Sequence, residues 1–250
     1  MVKPHRLLKE VLMSEIKAVL FDLDGTLLPL DQDVFAKKYF NYLTETVAPH
    51  FAYAKKIIKI MLAGMDAMVK NDGSKTNKEV FFETAEKLGG KDLCKEPLLF
   101  GYYDGLYLKL KDDCRPTAAS KKVVSLCKNA GLRTVLATNP VFPAAATIKR
   151  MGWAGLSPDD FEFITAFENS RFCKPNIKYY GEILEKLGLS AEECLMVGND
   201  VDEDMTAKQL GIKVFLLSDC IVNRENKDIS GYPRGGFAAL EEFLKKEEII

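Results

Sequence analysis

Asp22 and Asp24, in the stretch AVLFDLDGTLL (18–28), are two carboxylates one residue apart at the end of an apolar run. If the chain is extended there, both side chains point the same way, because strand side chains alternate. Like charges that close raise one another's pKa unless a cation or hydrogen-bond donors compensate. Gly25 permits a sharp turn and a close approach to a ligand. An ordinary turn or N-cap accounts for DLDG equally well, so the pair needs company before it means chemistry.

Three further stretches supply that company. RTVLA ends at Thr138-Asn139-Pro140, a hydroxyl and an amide ahead of a helix, whose N-terminal N–H groups would suit phosphate. CLMV ends at GNDVDED (198–204), a second acid cluster. A helix dipole accounts for Asp202, Glu203 and Asp204 there better than for Asp200 on the preceding turn. Lys174, before Pro175 at the entry to a helix, is the one cation whose expected position faces these acids. Taken singly, Thr138 and Asn139 read equally well as N-caps, and Lys174 as solvated surface.

The elements that must hold these residues follow from periodicity. IKAVLF (16–21), RTVLA (133–137), FEFIT (161–165), CLMV (194–197) and KVFLL (213–217) are near-continuous apolar runs, as parallel strands covered on both faces require. Helical spacing occupies 117–132, with Gly131 as a stop, then 177–189, 203–212 and 237–248. Strand and helix in alternation predict a doubly wound α/β core. In such a sheet ligands gather outside the carboxyl ends of the strands. Residues 30–114 break the alternation with helical segments punctuated by Pro49, the turn at 71–74 and Gly89-Gly90. They predict a helical insertion (30–114) over a core made of 1–29 and 115–250. Phe35, Tyr39, Phe51, Tyr53, Met61, Met65 and Met68 read as that insertion's own core, not as a ligand box.

Bulk properties exclude some classes of function. A formal net charge of -1 gives no electrostatic support for a nucleic-acid or anionic-membrane partner. Six cysteines without a CxxC pair, and two histidines near none of them, argue against zinc and for reduced thiols in the cytoplasm. No apolar stretch approaches the roughly 18 residues of a membrane span. Charged residues interrupt any signal-like segment at the N-terminus, where 5–13 reads as a short amphipathic helix.

Taken in order, DxDGTL at 22–27, Thr138 after an apolar strand, Lys174-Pro175 and GNDxxxD at 198–204 resemble the haloacid dehalogenase-like superfamily, in its phosphatase branch with a helical cap after the first motif. The resemblance covers the chain from about residue 14, so 1–12 reads as an extension before Met13. It implies a Rossmann-like core, Mg2+ as cofactor, and hydrolysis of a phosphomonoester of a small soluble metabolite. Asp22 would be the nucleophile that forms an aspartyl-phosphate. Asp24 would act as acid and then base. Thr138, Asn139 and Lys174 would bind phosphate, and Lys174 would also offset charge. An Asp22 carboxylate oxygen, the Asp24 carbonyl and an acid of the 198–204 loop would hold the metal. Many relatives carry Gly-Asp-Ser where this chain has Gly198-Asn199-Asp200, so Asn199 or Asp200 takes the ligand position; the carboxylate is the stronger ligand. Asp204 is expected to orient Lys174 or a metal-bound water. Arg115 reads as a hinge residue that could also touch substrate. A sugar phosphomutase and a silent binding protein are the competing readings.

Overall fold

The computed structural model describes residues 16–49, 54–90 and 97–250. The expected helix at 5–13 and the core positions Phe51 and Tyr53 lie outside that range. Six strands form one parallel sheet: β1 (Ala18–Phe21), β2 (Arg133–Leu136), β3 (Phe163–Ile164), β4 (Cys194–Gly198), β5 (Lys213–Leu217) and β6 (Arg234–Gly235). Their order is β3-β2-β1-β4-β5-β6, the arrangement whose direction reverses beside the first strand and opens a crevice there. β1 is central, with Phe21 aligned to Leu136 of β2 and Val197 of β4. The motifs that follow all three strands therefore emerge at one edge.

Both faces of the sheet are covered, which explains the unbroken apolar runs. Val19 and Phe21 pack into one cluster with Leu195, Val197 and Phe215. Ala18 and Leu20 pack into the other with Met196, Val214 and Leu216. Helix α5 (Ala118–Asn129) and helix α8 (Phe237–Lys246) cover the first face. Helix α7 (Ile177–Leu187) covers the second through Tyr179, Tyr180 and Ile183. Helix α6 (Ala144–Trp153) follows β2.

Between β1 and α5 the named elements of the described chain are all helical. It contains α1 (Gln32–Val47), α2 (Ala54–Val69), α3 (Asn77–Lys87), α4 (Pro97–Asp104) and a 310 segment, Leu106–Asp113. Local chemistry sets the starts: Asp31 caps α1 by accepting from the N–H groups of Asp33 and Val34, and Thr76 and Glu79 form a reciprocal capping box on α3. The chain leaves and re-enters the sheet side by side, where Arg115 N–H donates to the Pro29 carbonyl at 2.8 Å. Arg115 itself is exposed there.

Three expectations need correction. Residues 203–212 do not form an α-helix; Met205–Leu210 is 310. Only six residues lie between the anchored Asp204 and the left-handed Gly211, too few to repay α-helical nucleation. The helix after Thr138 starts at Ala144, so Asn139 caps nothing. β6 went unread because two residues carry no periodicity.

The helical layer is tied to the core by Asn77, which is fully buried. Its amide donates to the Pro140 carbonyl and to Cys173 Sγ, both at 3.3 Å, and its carbonyl oxygen accepts from Asn71 at 2.9 Å. Its backbone N–H donates to Ser170 at 2.8 Å. Asn77→Ala strands these partners without water, so we expect it to lower unfolding free energy by about 1–3 kcal/mol. Urea titration of both proteins measures the difference.

Candidate active site

β1 ends at Phe21, and the next backbone bond, Asp22 N–H to the Val197 carbonyl at 2.9 Å, delivers the Asp22 side chain to the sheet edge. The chain then turns through Gly25, whose φ is +91°. A Cβ there would sit 2.3 Å from the Asn199 amide nitrogen, so backbone conformation and space both demand glycine. The turn is closed by Gly25 N–H to Leu28 and by Leu28 N–H to Leu23. Thr26 is thereby aimed back at Asp22, to which its hydroxyl lies at 3.1 Å, and at the Asn199 oxygen, at 2.9 Å.

Lys174 is the centre of the arrangement. Its ammonium is 2.9 Å from Asp22 Oδ1 and 2.6 Å from Asp204 Oδ1, and all three groups are buried. Burial works against a charged lysine, but Asp204 and Asp22 together outweigh it and hold Lys174 well above its ordinary pKa. Asp204 is fixed in turn, its second oxygen accepting from the Asn199 and Asp200 N–H groups at 3.0 Å each. Gly198 makes room for it: a Cβ on residue 198 would lie 2.2 Å from Asp204 Oδ2. The expected link between Asp204 and Lys174 is thus direct, and a helix dipole is not what places this acid.

A cavity of about 380 Å³ opens over these groups, lined by Asp22, Asp24, Thr138, Asn139, Asp200 and Asp204 among others. The structure therefore brings together the four separate motifs. Thr138 is buried, yet its hydroxyl bonds to no other described residue, while its carbonyl accepts from Thr165 and Tyr179. Asn139 departs from the expectation of a free amide for phosphate. Its amide donates to both oxygens of Glu203, at 3.1 and 3.0 Å, and its oxygen accepts from Lys174 N–H. Asn199 also faces away from the cavity wall, with its amide on the Cys220 carbonyl at 2.7 Å. Asp200 does reach the cavity; burial raises its carboxyl against the opposing N–H groups of Glu203 and Asp202.

Several participants were missed in the sequence. Gln32 donates to the Asp24 carbonyl at 2.9 Å, leaving that oxygen a second lone pair. Arg150, fully buried, places Nε 3.0 Å from Asp24 Oδ1 and Nη1 2.6 Å from the Tyr107 hydroxyl. Burial raises the Asp24 carboxyl, and Arg150 offsets part of that rise. A signal for Arg150 did exist: it falls at helical spacing with Ala146 and Trp153, a charge on an apolar face. Phe35, Tyr39 and Met65, expected only to pack the helices, also line the cavity, and Arg115 does not.

A family model of haloacid dehalogenase-like hydrolases matches residues 16–211. The chain belongs to that family. As a haloacid dehalogenase-like hydrolase, it is an enzyme. It is 24% identical over 208 residues to the pyrophosphatase PpaX of Halalkalibacterium halodurans, covering 83% of this chain and 86% of that one. Its fold is similar to that of the 2-haloacid dehalogenase of Pseudomonas syringae, with a TM-score of 0.60 at 19% identity over 93% and 99% of the two chains. It is also similar to the HAD-hydrolase YfnB of Bacillus subtilis, solved bound to magnesium, with a TM-score of 0.52 at 19% identity over 92% and 99%.

Two outcomes follow from the charge arrangement. Lys174→Met leaves Asp22 and Asp204 buried without a counter-ion, and unfolding free energy should fall by about 3–5 kcal/mol in denaturant titrations. Glu203 is pushed by burial from 4.5 to about 8, against the pull of Lys174. Between those values the folded state binds this proton and the unfolded state does not, so with divalent cations chelated, stability falls as pH rises through the window. Melting temperatures taken from pH 5 to 8 test this, and Glu203→Gln should flatten the fall.

Proposed function

We propose that the chain is a magnesium-dependent phosphomonoesterase that acts on a small soluble ester through an aspartyl-phosphate on Asp22. The observation that carries this reading is the contact of Lys174 with Asp22 at the floor of a cavity that also holds Asp24, Asp200 and the unengaged Thr138 hydroxyl. The relative named as a pyrophosphatase supports phosphate as the group acted on.

In this reading Asp22 Oδ2, steadied by Thr26, attacks phosphorus and the ester P–O bond breaks. Asp24 gives its proton to the departing alkoxide, and burial, by raising its carboxyl, keeps that proton in hand. It then takes a proton from the water that attacks the aspartyl-phosphate, which releases phosphate and restores Asp22. Thr138 donates to an equatorial phosphoryl oxygen. Lys174 balances the charge on Asp22 and the phosphoryl group. Asn139 acts by holding Glu203 and the Lys174 backbone in place.

The donor set suits magnesium. Among the described residues no three acid, histidine or cysteine side chains form a ready cage; magnesium typically takes one or two carboxylates plus substrate phosphate and retained waters. Asp22, Asp200 and the Asp24 carbonyl would hold it, since the Asn199 oxygen already accepts from Thr26. Bound there, the ion would supply Lewis-acid neutralisation of phosphoryl charge.

We read 1–29 with 115–250 as the catalytic core and 30–114 as a cap over it. The described cysteines Cys114, Cys127, Cys173, Cys194 and Cys220 are unpaired, which suits a cytoplasmic setting. Among the described residues no helix is long and apolar enough to cross a membrane.

Phosphate release from p-nitrophenyl phosphate with magnesium tests the proposal. Asp22→Asn should lower kcat by about a thousandfold or more, as loss of a nucleophile does elsewhere. An unchanged rate would overturn it.

A further inference from the structure

The cavity has two unlike halves. Carboxylates line one part of it with the α1 residues Gln32 and Asp33, while Phe35, Tyr39, Phe40, Met65, Val141 and Phe142 give it an apolar part, its roof. Helical spacing puts Phe35 with Tyr39, and Ala36 with Phe40, on adjoining rows of α1, so one helix face supplies much of that roof. The Tyr39 hydroxyl is not available to a ligand as a simple donor, since it is paired with Tyr103 at 3.1 Å. A smaller space shares Tyr39, Met65 and Val141 with the roof and runs on between Phe81, Phe82 and Phe167.

The cations near the cavity are already engaged: the Arg150 guanidinium, 4.5 Å from the Phe142 ring centroid, is held by Asp24. Among the described lining residues the single cation is Arg224, and it already faces two acids, Asp33 at 3.2 Å and Asp200 at 3.5 Å. Lys174 and Arg150 are held by acids beneath the floor. A second phosphate or a carboxylate on the substrate would therefore lie against aromatic rings and a thioether, losing hydration with no counter-ion. Sugar hydroxyls that reach the roof would meet the same apolar side chains. An aromatic or branched apolar group instead removes its own surface and that of the roof from water.

We propose that the substrate's organic part is an uncharged apolar group, an aryl-bearing or branched alkyl alcohol esterified to phosphate. This rests on the phosphatase reading above and narrows it. The roof makes this chain selective against diphosphates, phosphocarboxylates and hexose phosphates.

The test compares naphthylmethyl phosphate with phosphoglycolate, pyrophosphate and a hexose phosphate, each with magnesium. Naphthylmethyl phosphate is an alkyl ester, so its leaving group is no more reactive than a sugar's. We expect its kcat/KM to exceed the others by about tenfold or more. Met65→Arg, which sets a cation in the roof, should shrink that ratio by raising turnover of phosphoglycolate. Calorimetry supplies a readout without turnover: naphthylmethylphosphonate should bind the wild-type protein about tenfold more tightly than methylphosphonate. Equal kcat/KM across the panel, or equal binding of the two phosphonates, overturns the inference and leaves the phosphatase reading standing. If no ester releases phosphate, the phosphatase reading falls, and the inference built on it falls too.

Discussion

A lysine ammonium buried between two carboxylates is the constraint around which this molecule is organised. Lys174 touches Asp22 on one side and Asp204 on the other. Removing any one of the three would leave buried charge without its partner. Each partner is then fixed by backbone: Asp204 by the amides of Asn199 and Asp200, Asp22 by the end of the central strand. The sheet order matters because it brings the ends of β1, β2 and β4 to the same edge. Glycine is required at two points of this edge, under the turn at residue 25 and behind Asp204 at residue 198, because side-chain atoms fill the space a Cβ would need.

Charge is graded across the site. Lys174 neutralises the innermost acids, Arg150 attends Asp24 from behind, and Arg224 meets Asp200 and Asp33 at the rim. Glu203 has an amide for a partner, not a cation, and burial pushes its carboxyl up to about 8. A region so rich in oxygen donors has room for added positive charge, which the proposed magnesium would supply.

Much of the core could be read from the sequence because burial on both faces writes itself as uninterrupted apolar runs. CLMV and KVFLL became β4 and β5 with little change in their bounds. Gly131 has the left-handed conformation that its position as a helix stop suggested, with φ +82°. What escaped was whatever long-range bonding decides. Met205 to Leu210 carries apolar spacing that fits an α-helix, but the anchoring of Asp204 leaves room only for a tighter turn. Asn139 looked like a cap or a phosphate donor, and its role depends on Glu203, 64 positions away. Phe35, Tyr39 and Met65 have the pattern of a packed core and do pack; only the geometry reveals that they also face a void.

The Asn77 contacts carry one more consequence. That residue of the helical layer binds Cys173 Sγ, and Cys173 is covalently joined to Lys174; another of its bonds reaches Pro140, the neighbour of Asn139. The helical layer and the buried Lys174 therefore share the same short peptide segments. The seam between the helical layer and the sheet runs through the candidate site instead of around it. Transplanting these helices onto another member's sheet, to graft a new specificity, would require carrying over both loops that meet them.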